Sequence, residues 1–207
     1  PTLPIWLTTD MHEAVIFLDV DGVLHPLKPS GHALHAPMNA LVQRAEAEWN
    51  LLDDATASTV PGEFYPDCMA AVASCIEHLT ESGIQIRIVL SSTWRETRPQ
   101  HRAVDLKLME HGIGTTSDAT PVRSQASGGR TAEILDWIKS NPGTRHWVAI
   151  DDNELQLPED HFLKTDPSVG FTREDASRLR DMLLGQQQMS GTGTDASSAS
   201  IPQSTAV

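Results

Sequence analysis

Two hydrophobic patterns alternate along this chain. Short, almost unbroken apolar runs occur at Ala14–Leu18, in a strand placed at 14 to 20, in IQIRIVL at 84 to 90, and in RHWVAI at 145 to 150. Such runs, bounded by turn residues, predict strands covered on both faces, as in a parallel sheet. HFLKT at 161 to 165 predicts a fourth strand, and IGTTSDATPV a minor one. Between the runs, apolar residues recur at helical spacing. Cys68, Met69, Val72, Cys75, Ile76 and Leu79 share one face, with Asp67 placed to cap the start and Gly83 the end. HRAVDLKLMEHG reads as a short helix, and TAEILDWIKS as another with Ile134, Leu135 and Ile138 inward. Thr172 and Asp175 resemble a capping box. They open a helix with Ala176, Leu179, Met182 and Leu183 inward, ended by Gly185. Strands alternating with helices predict an α/β, doubly wound parallel sheet.

The remaining segments set the domain organisation. Residues 1–13 read as an N-terminal extension and 14–185 as one α/β domain. That domain carries an insertion at 25–64 after strand one, partly helical through MNALVQRAEAEWNLL and too small for a full second domain. Residues 186–207 are polar and low in complexity, and are expected to be a disordered tail. The formal charge of −13 over 207 residues argues against sequence-blind binding to nucleic acid or anionic membrane, although a local basic patch stays open. No apolar run is long enough to span a membrane. The amino terminus lacks the basic flank and apolar core of a secretory signal. Cys68 and Cys75, at i and i+7 on a helix, stand about 10.5 Å apart along its axis, too far for a disulfide. They read as core fillers in a reducing compartment, and the expected location is cytoplasmic.

Chemistry concentrates where the strands end. Strand one runs into Asp19, Asp21 and Gly22, strand two into Ser91, Ser92 and Thr93, and strand three into Asp151 and Asp152. Parallel strands present their carboxyl ends on one edge, where open α/β sheets bind ligands. Paired carboxylates there repel each other, so a cation is the natural compensator, and oxygen-only ligation favours Mg²⁺. Arg130 precedes a helix amino terminus, where an anion is favoured. Acids, a hydroxyl and a cation on one edge suit phosphoryl transfer through an aspartate. The plain readings are a polar turn after strand one, a strand-to-turn cap at Asp151 and Asp152, and a solvated Arg130 with Arg123 and Arg95 as competitors. His25, His32 and His35 are close in sequence, but have no nearby cysteine and no zinc-site spacing. Trp137 and Trp147 read as core.

Taken together, DVDG, Ser91, Arg130 and the 151–152 acid pair resemble, in order, the four motifs of the haloacid dehalogenase-like (HAD) superfamily of phosphohydrolases. LSSTWR, RTAEILDWI, AIDDN and KTDPSVGFT are further similar to the HAD domains found with RNA repair proteins, relatives of the phosphatase half of polynucleotide kinase-phosphatase. The resemblance covers roughly residues 14 to 184. It implies a HAD-like Rossmannoid fold without a full cap domain, and a Mg²⁺-dependent phosphomonoesterase. In that reading Asp19 is the nucleophile and Asp21 the acid–base residue. Asp19, the Asp21 main chain and Asp151 hold Mg²⁺, with Asp152 beside them. Ser91 or Ser92 and Arg130 bind phosphate.

His25, Trp94 and Arg95 are candidate substrate contacts. Trp94 offers a stacking face and Arg95 a second phosphate contact, while packing of Trp94 on the insertion is the plain alternative. The implied partner is a phosphorylated substrate, a nucleotide or nucleic-acid end among the options, with no membrane and no obligate protein partner. The competing reading is a phosphate-binding or regulatory module of the same fold. A signalling receiver domain would carry its acid on a middle strand. A DxD glycosyltransferase gives no reason for Ser91 and Arg130, and true dehalogenation needs neither Asp21 nor Mg²⁺.

Overall fold

A computed structural model describes residues 12–27, 64–123 and 129–191. The long helical stripe at 38–52, His32, His35 and most of the insertion lie outside the described residues, as do residues 1–11 and 192–207. Five strands form one parallel sheet: β1 (His12–Leu18), β2 (Ile84–Leu90), β3 (Asp118–Ala119), β4 (Trp147–Asp151) and β5 (Phe162–Lys164). Their order is β3-β2-β1-β4-β5, so β1 is central and the chain winds outward both ways. The register brings the strand ends level, with Leu18 paired to Leu90 on one side and to Ile150 on the other.

Among the described residues, four α-helices cover the sheet: α1 (Pro66–Glu81), α2 (Arg98–Glu110), α3 (Gly129–Ser140) and α4 (Arg173–Gly191). Alternation along each strand sorts the core into two layers. Ile16, Leu18, Ile88, Leu90, Val148 and Ile150 pack with apolar residues of α1, α2 and α4. Val15, Phe17, Val89 and Ala149 pack on the other face with Ile134 and Trp137 of α3. Phe17 meets Trp137 and Trp147 edge-on, with ring centroids 5.3 and 5.8 Å apart, a favoured aromatic geometry. Both tryptophans are core residues, as their positions suggest. The two cysteines are free and buried, and burial pushes each thiol up to about 11.

Several sequence expectations shift. Helix α1 is opened by Pro66, and its N-cap, Tyr65, makes no side-chain cap, so Asp67 sits in the first turn as a charge rather than a cap. Leu135 is 46% exposed instead of inward, because Ile134 and Trp137 already fill that face of α3. Helix α4 does not stop at Gly185 but runs to Gly191. The Gln186 side chain accepts from the Trp147 amide and donates to the Trp147 and Asp160 carbonyls, tying the extra turn to β4. The first residues assigned to a disordered tail are therefore helical. Among the described residues no helix is long and apolar enough to cross a membrane.

Candidate active site

The carboxyl ends of the strands continue the ladder one step beyond the sheet. The Asp19 amide donates to Ile150 O at 3.1 Å, Ser91 N to Leu18 O at 3.0 Å, and Thr165 N to Asp151 O at 3.0 Å. Asp19, Ser91 and Asp151 are thus fixed by backbone bonds to neighbouring strands. Beyond Asp19 the chain turns tightly, with Leu24 N on Val20 O and Gly22 N on His25 O. Gly22 has φ +74°, and a Cβ on it would stand 2.7 Å from the Asp152 side chain. Only glycine satisfies both conditions.

Asp19 forms the floor of the site and is 2% exposed. Arg130, in the first turn of α3, bridges two acids with one nitrogen. Its Nη1 lies 2.8 Å from Asp19 Oδ2 and 2.5 Å from Asp151 Oδ2. The other oxygen of Asp151 accepts from the Asn153 amide at 2.9 Å. The Asp19 carboxyl is pushed up to about 7 by burial and then by the Asp151 charge, against the opposing pull of Arg130 and the Ser92 hydroxyl. Asp152 is raised as well, by burial and by Asp151. Burial opposes the Arg130 charge, but the two carboxylates outweigh it and hold the guanidinium protonated.

Oxygen atoms of Asp19, Asp151 and Asp152 all lie within 4.8 Å of one another. Among the described residues, Asp19 Oδ1 is buried without a hydrogen-bond partner. Three clustered carboxylates against one guanidinium leave an excess of negative charge, and the donors are all oxygen. These residues fit a hard divalent cation such as Mg²⁺.

Asp21 forms the rim, with its side chain 43% exposed. Its Oδ1 lies 2.9 Å from His25 Nε2, and its Oδ2 accepts the Trp94 indole N–H at 3.1 Å. Burial alone would raise this carboxyl, but the His25 hydrogen bond and charge, with the Trp94 bond, bring it below the usual range. Both serines are buried. The Ser92 hydroxyl lies against Asp19 and accepts the Trp94 amide, whereas Ser91 Oγ has no partner among the described residues.

Three candidate substrate contacts have other positions than the sequence suggested. Trp94 is 5% exposed, packed edge-on to Phe64 and His25, so it has little face left for a base. The packing alternative describes it. His25 is fully buried and meets Asp21, not solvent. The Arg95 side chain is 3% exposed and spent inside the protein. It donates to the Thr120, Ser91 and Ser92 carbonyls and pairs with Glu133 at 2.5 Å, which leaves no free fork for a phosphate. Arg123, the other competitor of Arg130, pairs with Asp136 on the surface.

Sequence reasoning passed over Glu133, Thr165 and Asn153. Glu133 holds Arg95 and also accepts the Arg123 amide at 2.7 Å, while Thr165 donates to Gly22 O at 2.9 Å. A glutamate one turn after Arg130, beside inward Ile134, was the available signal, since a buried acid needs a partner. Next to Arg130 a cavity of about 470 Å³ opens between the start of α3 and the Asn153–Gln156 loop.

The sequence matches the family model described as HAD domain in Swiss Army Knife RNA repair proteins, over residues 15–176. The chain belongs to that family. No curated protein and no solved structure matches it. The HAD architecture accounts for the five-stranded parallel sheet and for the order in which Asp19, Ser91, Arg130 and Asp151 reach its edge. Family membership points to phosphohydrolase-type chemistry, and the acidic cluster can hold a metal.

Proposed function

We propose that this HAD domain is a Mg²⁺-dependent phosphomonoesterase that works through an aspartyl-phosphate on Asp19, with a nucleotide or polynucleotide end as its substrate. The observation that carries the reading is the buried Asp19 carboxylate, bridged to Asp151 by Arg130 at the open end of the central strand. An oxygen of Asp19 attacks phosphorus, and the bond to the leaving oxygen breaks. Asp21, acting from the minority form in which it carries a proton, gives that proton to the leaving oxygen, then takes one from the water that hydrolyses the acyl phosphate. Arg130 and a serine hydroxyl offset charge on the phosphoryl oxygens. Mg²⁺, held by Asp19, Asp151, Asp152 and the Asp21 main-chain carbonyl, would neutralise the carboxylates and the phosphate as they approach.

The substrate class rests on the family's RNA repair association and on the cavity beside Arg130. The charge of −13 favours short ends over long strands. Two measurements test the two halves. Asp19→Asn is isosteric but cannot attack phosphorus, so turnover of every ester the wild type cleaves should fall roughly 10³-fold or more. Activity near wild type would end the covalent mechanism. Catalytic efficiency on a 3′-phosphorylated oligonucleotide or nucleotide should exceed that on sugar phosphates of equal charge, and the opposite ranking would leave only a generic phosphatase.

A further inference from the structure

We infer that His25 and Trp94 are positioning residues for Asp21, aiming its carboxyl at the leaving oxygen of the substrate; this rests on the phosphomonoesterase reading above. Asp21 has a side chain 43% exposed and lies outside the cluster of Asp19, Asp151 and Asp152. A half-exposed carboxylate ordinarily samples several rotamers. Here each oxygen has a nitrogen beside it: Trp94 Nε1 donates to Oδ2, and His25 Nε2 lies at ion-pair distance from Oδ1. His25 Nε2 meets Oδ1 from the end of the same turn, and Trp94 Nε1 meets Oδ2 from the 3₁₀ turn Thr93–Arg95 after β2. One hydrogen bond and one close charge contact, on separate oxygens, restrict both the position and the roll of the carboxylate plane, which a single contact would not.

Both rings are themselves held rigidly. The His25 ring stacks on Phe64 at 5.7 Å with planes 13° apart, and Phe64 meets Trp94 at 5.5 Å. His25 and Trp94 meet each other at 6.2 Å, so three rings form one packed block behind the acid. The turn between Asp21 and His25 is anchored in turn. Thr165 donates to Gly22 O, and Phe171 N donates to Val23 O at 2.8 Å. Trp94 lies two residues after Ser92, whose hydroxyl accepts its amide. The acid is therefore referenced to the same backbone that carries the phosphate-binding serines.

Positioning has a kinetic signature that structural support lacks. The constant kcat/KM reports steps only through formation of the aspartyl-phosphate. Phenyl phosphate and p-nitrophenyl phosphate match in shape, but phenolate leaves poorly without a proton and nitrophenolate does not need one. Trp94→Phe deletes the N–H and keeps a ring, and His25→Gln deletes the imidazole. Each should lower kcat/KM on phenyl phosphate about tenfold more than on p-nitrophenyl phosphate. The excess should vanish when either change is made on Asp21→Asn. If His25→Gln does not fold, Trp94→Phe alone decides. Equal losses on both esters overturn the positioning role and leave the phosphatase standing. A wild-type protein that cleaves neither ester with Mg²⁺ overturns the phosphatase reading and this inference with it.

Discussion

The floor and the rim of this site hold acids two residues apart in opposite electrostatic states. At the floor, Asp19 is buried beside another carboxylate and its proton affinity rises to about 7. At the rim, Asp21 meets the histidine and indole nitrogens and its proton affinity falls below normal. Both carboxylates follow the same strand, so the strand itself does not explain the difference. The difference comes from what faces them. The floor concentrates like charges and answers them with one guanidinium, which leaves an acidic cluster that can hold a metal ion. The rim sets the Trp94 indole N–H and the His25 ring against the two Asp21 oxygens, one on each. Desolvation and charge set the first, hydrogen-bond geometry the second.

The largest effect should come from cutting the support behind the rim. Arg95 and Glu133 form a pair 3% and 6% exposed, and Arg95 also gathers three carbonyls around the turn that carries Trp94. Arg95→Ala would leave the Glu133 charge buried and unpaired, at a cost of about 3–5 kcal/mol in urea unfolding. The exposed pair of Arg87 and Glu13, 32% and 49% accessible, should give under about 1 kcal/mol on Arg87→Ala. Similar losses at the two positions would mean that Arg95 is not the anchor described here.

Metal binding should act on the floor. Mg²⁺ at 100 times its dissociation constant should stabilise the native state by about 2.7 kcal/mol. For a domain of this size that raises Tm by several degrees. Asp151→Ala should remove most of the shift, whereas Trp94→Phe should leave it in place. Melting that ignores both Mg²⁺ and EDTA would break the assignment of the floor.

A smaller effect separates the two acids by pH in metal-free protein. Asp19 has a folded value of about 7 against an ordinary 3.8, so the unfolded chain loses this proton first. Its contribution to stability is therefore greatest below pH 3.8 and declines as pH climbs to about 7. Asp21 is lowered, so its contribution is present above 3.8 and is lost as pH falls through its folded value. The stability of Asp19→Asn minus that of wild type should rise across pH 4 to 7 in chemical unfolding with EDTA. A flat difference would remove the electrostatic contrast between floor and rim.

The legible parts of this molecule were those fixed by local pattern. The apolar runs of β1, β2 and β4 and the acids at their ends state a parallel sheet and its chemical edge without any long-range information. Arg130 was legible only as one of three candidate arginines, and its pairing with Asp19 and Asp151 separates it from Arg95 and Arg123. Arg95 was not legible. Its partner lies 38 residues away, and a short LSSTWR string does not say whether an arginine turns toward solvent or toward a buried glutamate. Trp94 and His25 share that difficulty, since only packing on Phe64 makes them interior. The end of α4 was missed because Gly185 and a glutamine run suggest a stop, while Gln186 finds its carbonyls on β4 and continues the helix.

The contact between Phe64 and His25 also defines a port in the chain. Tyr65 N donates to Leu24 O at 2.9 Å, so the chain that departs after His25 rejoins the domain beside its own point of departure. Everything threaded between these points closes a loop whose ends are already together. Lengthening such a loop costs only about 0.6 kcal/mol per doubling. The sheet, the floor and their register can therefore stay constant while the intervening chain is exchanged.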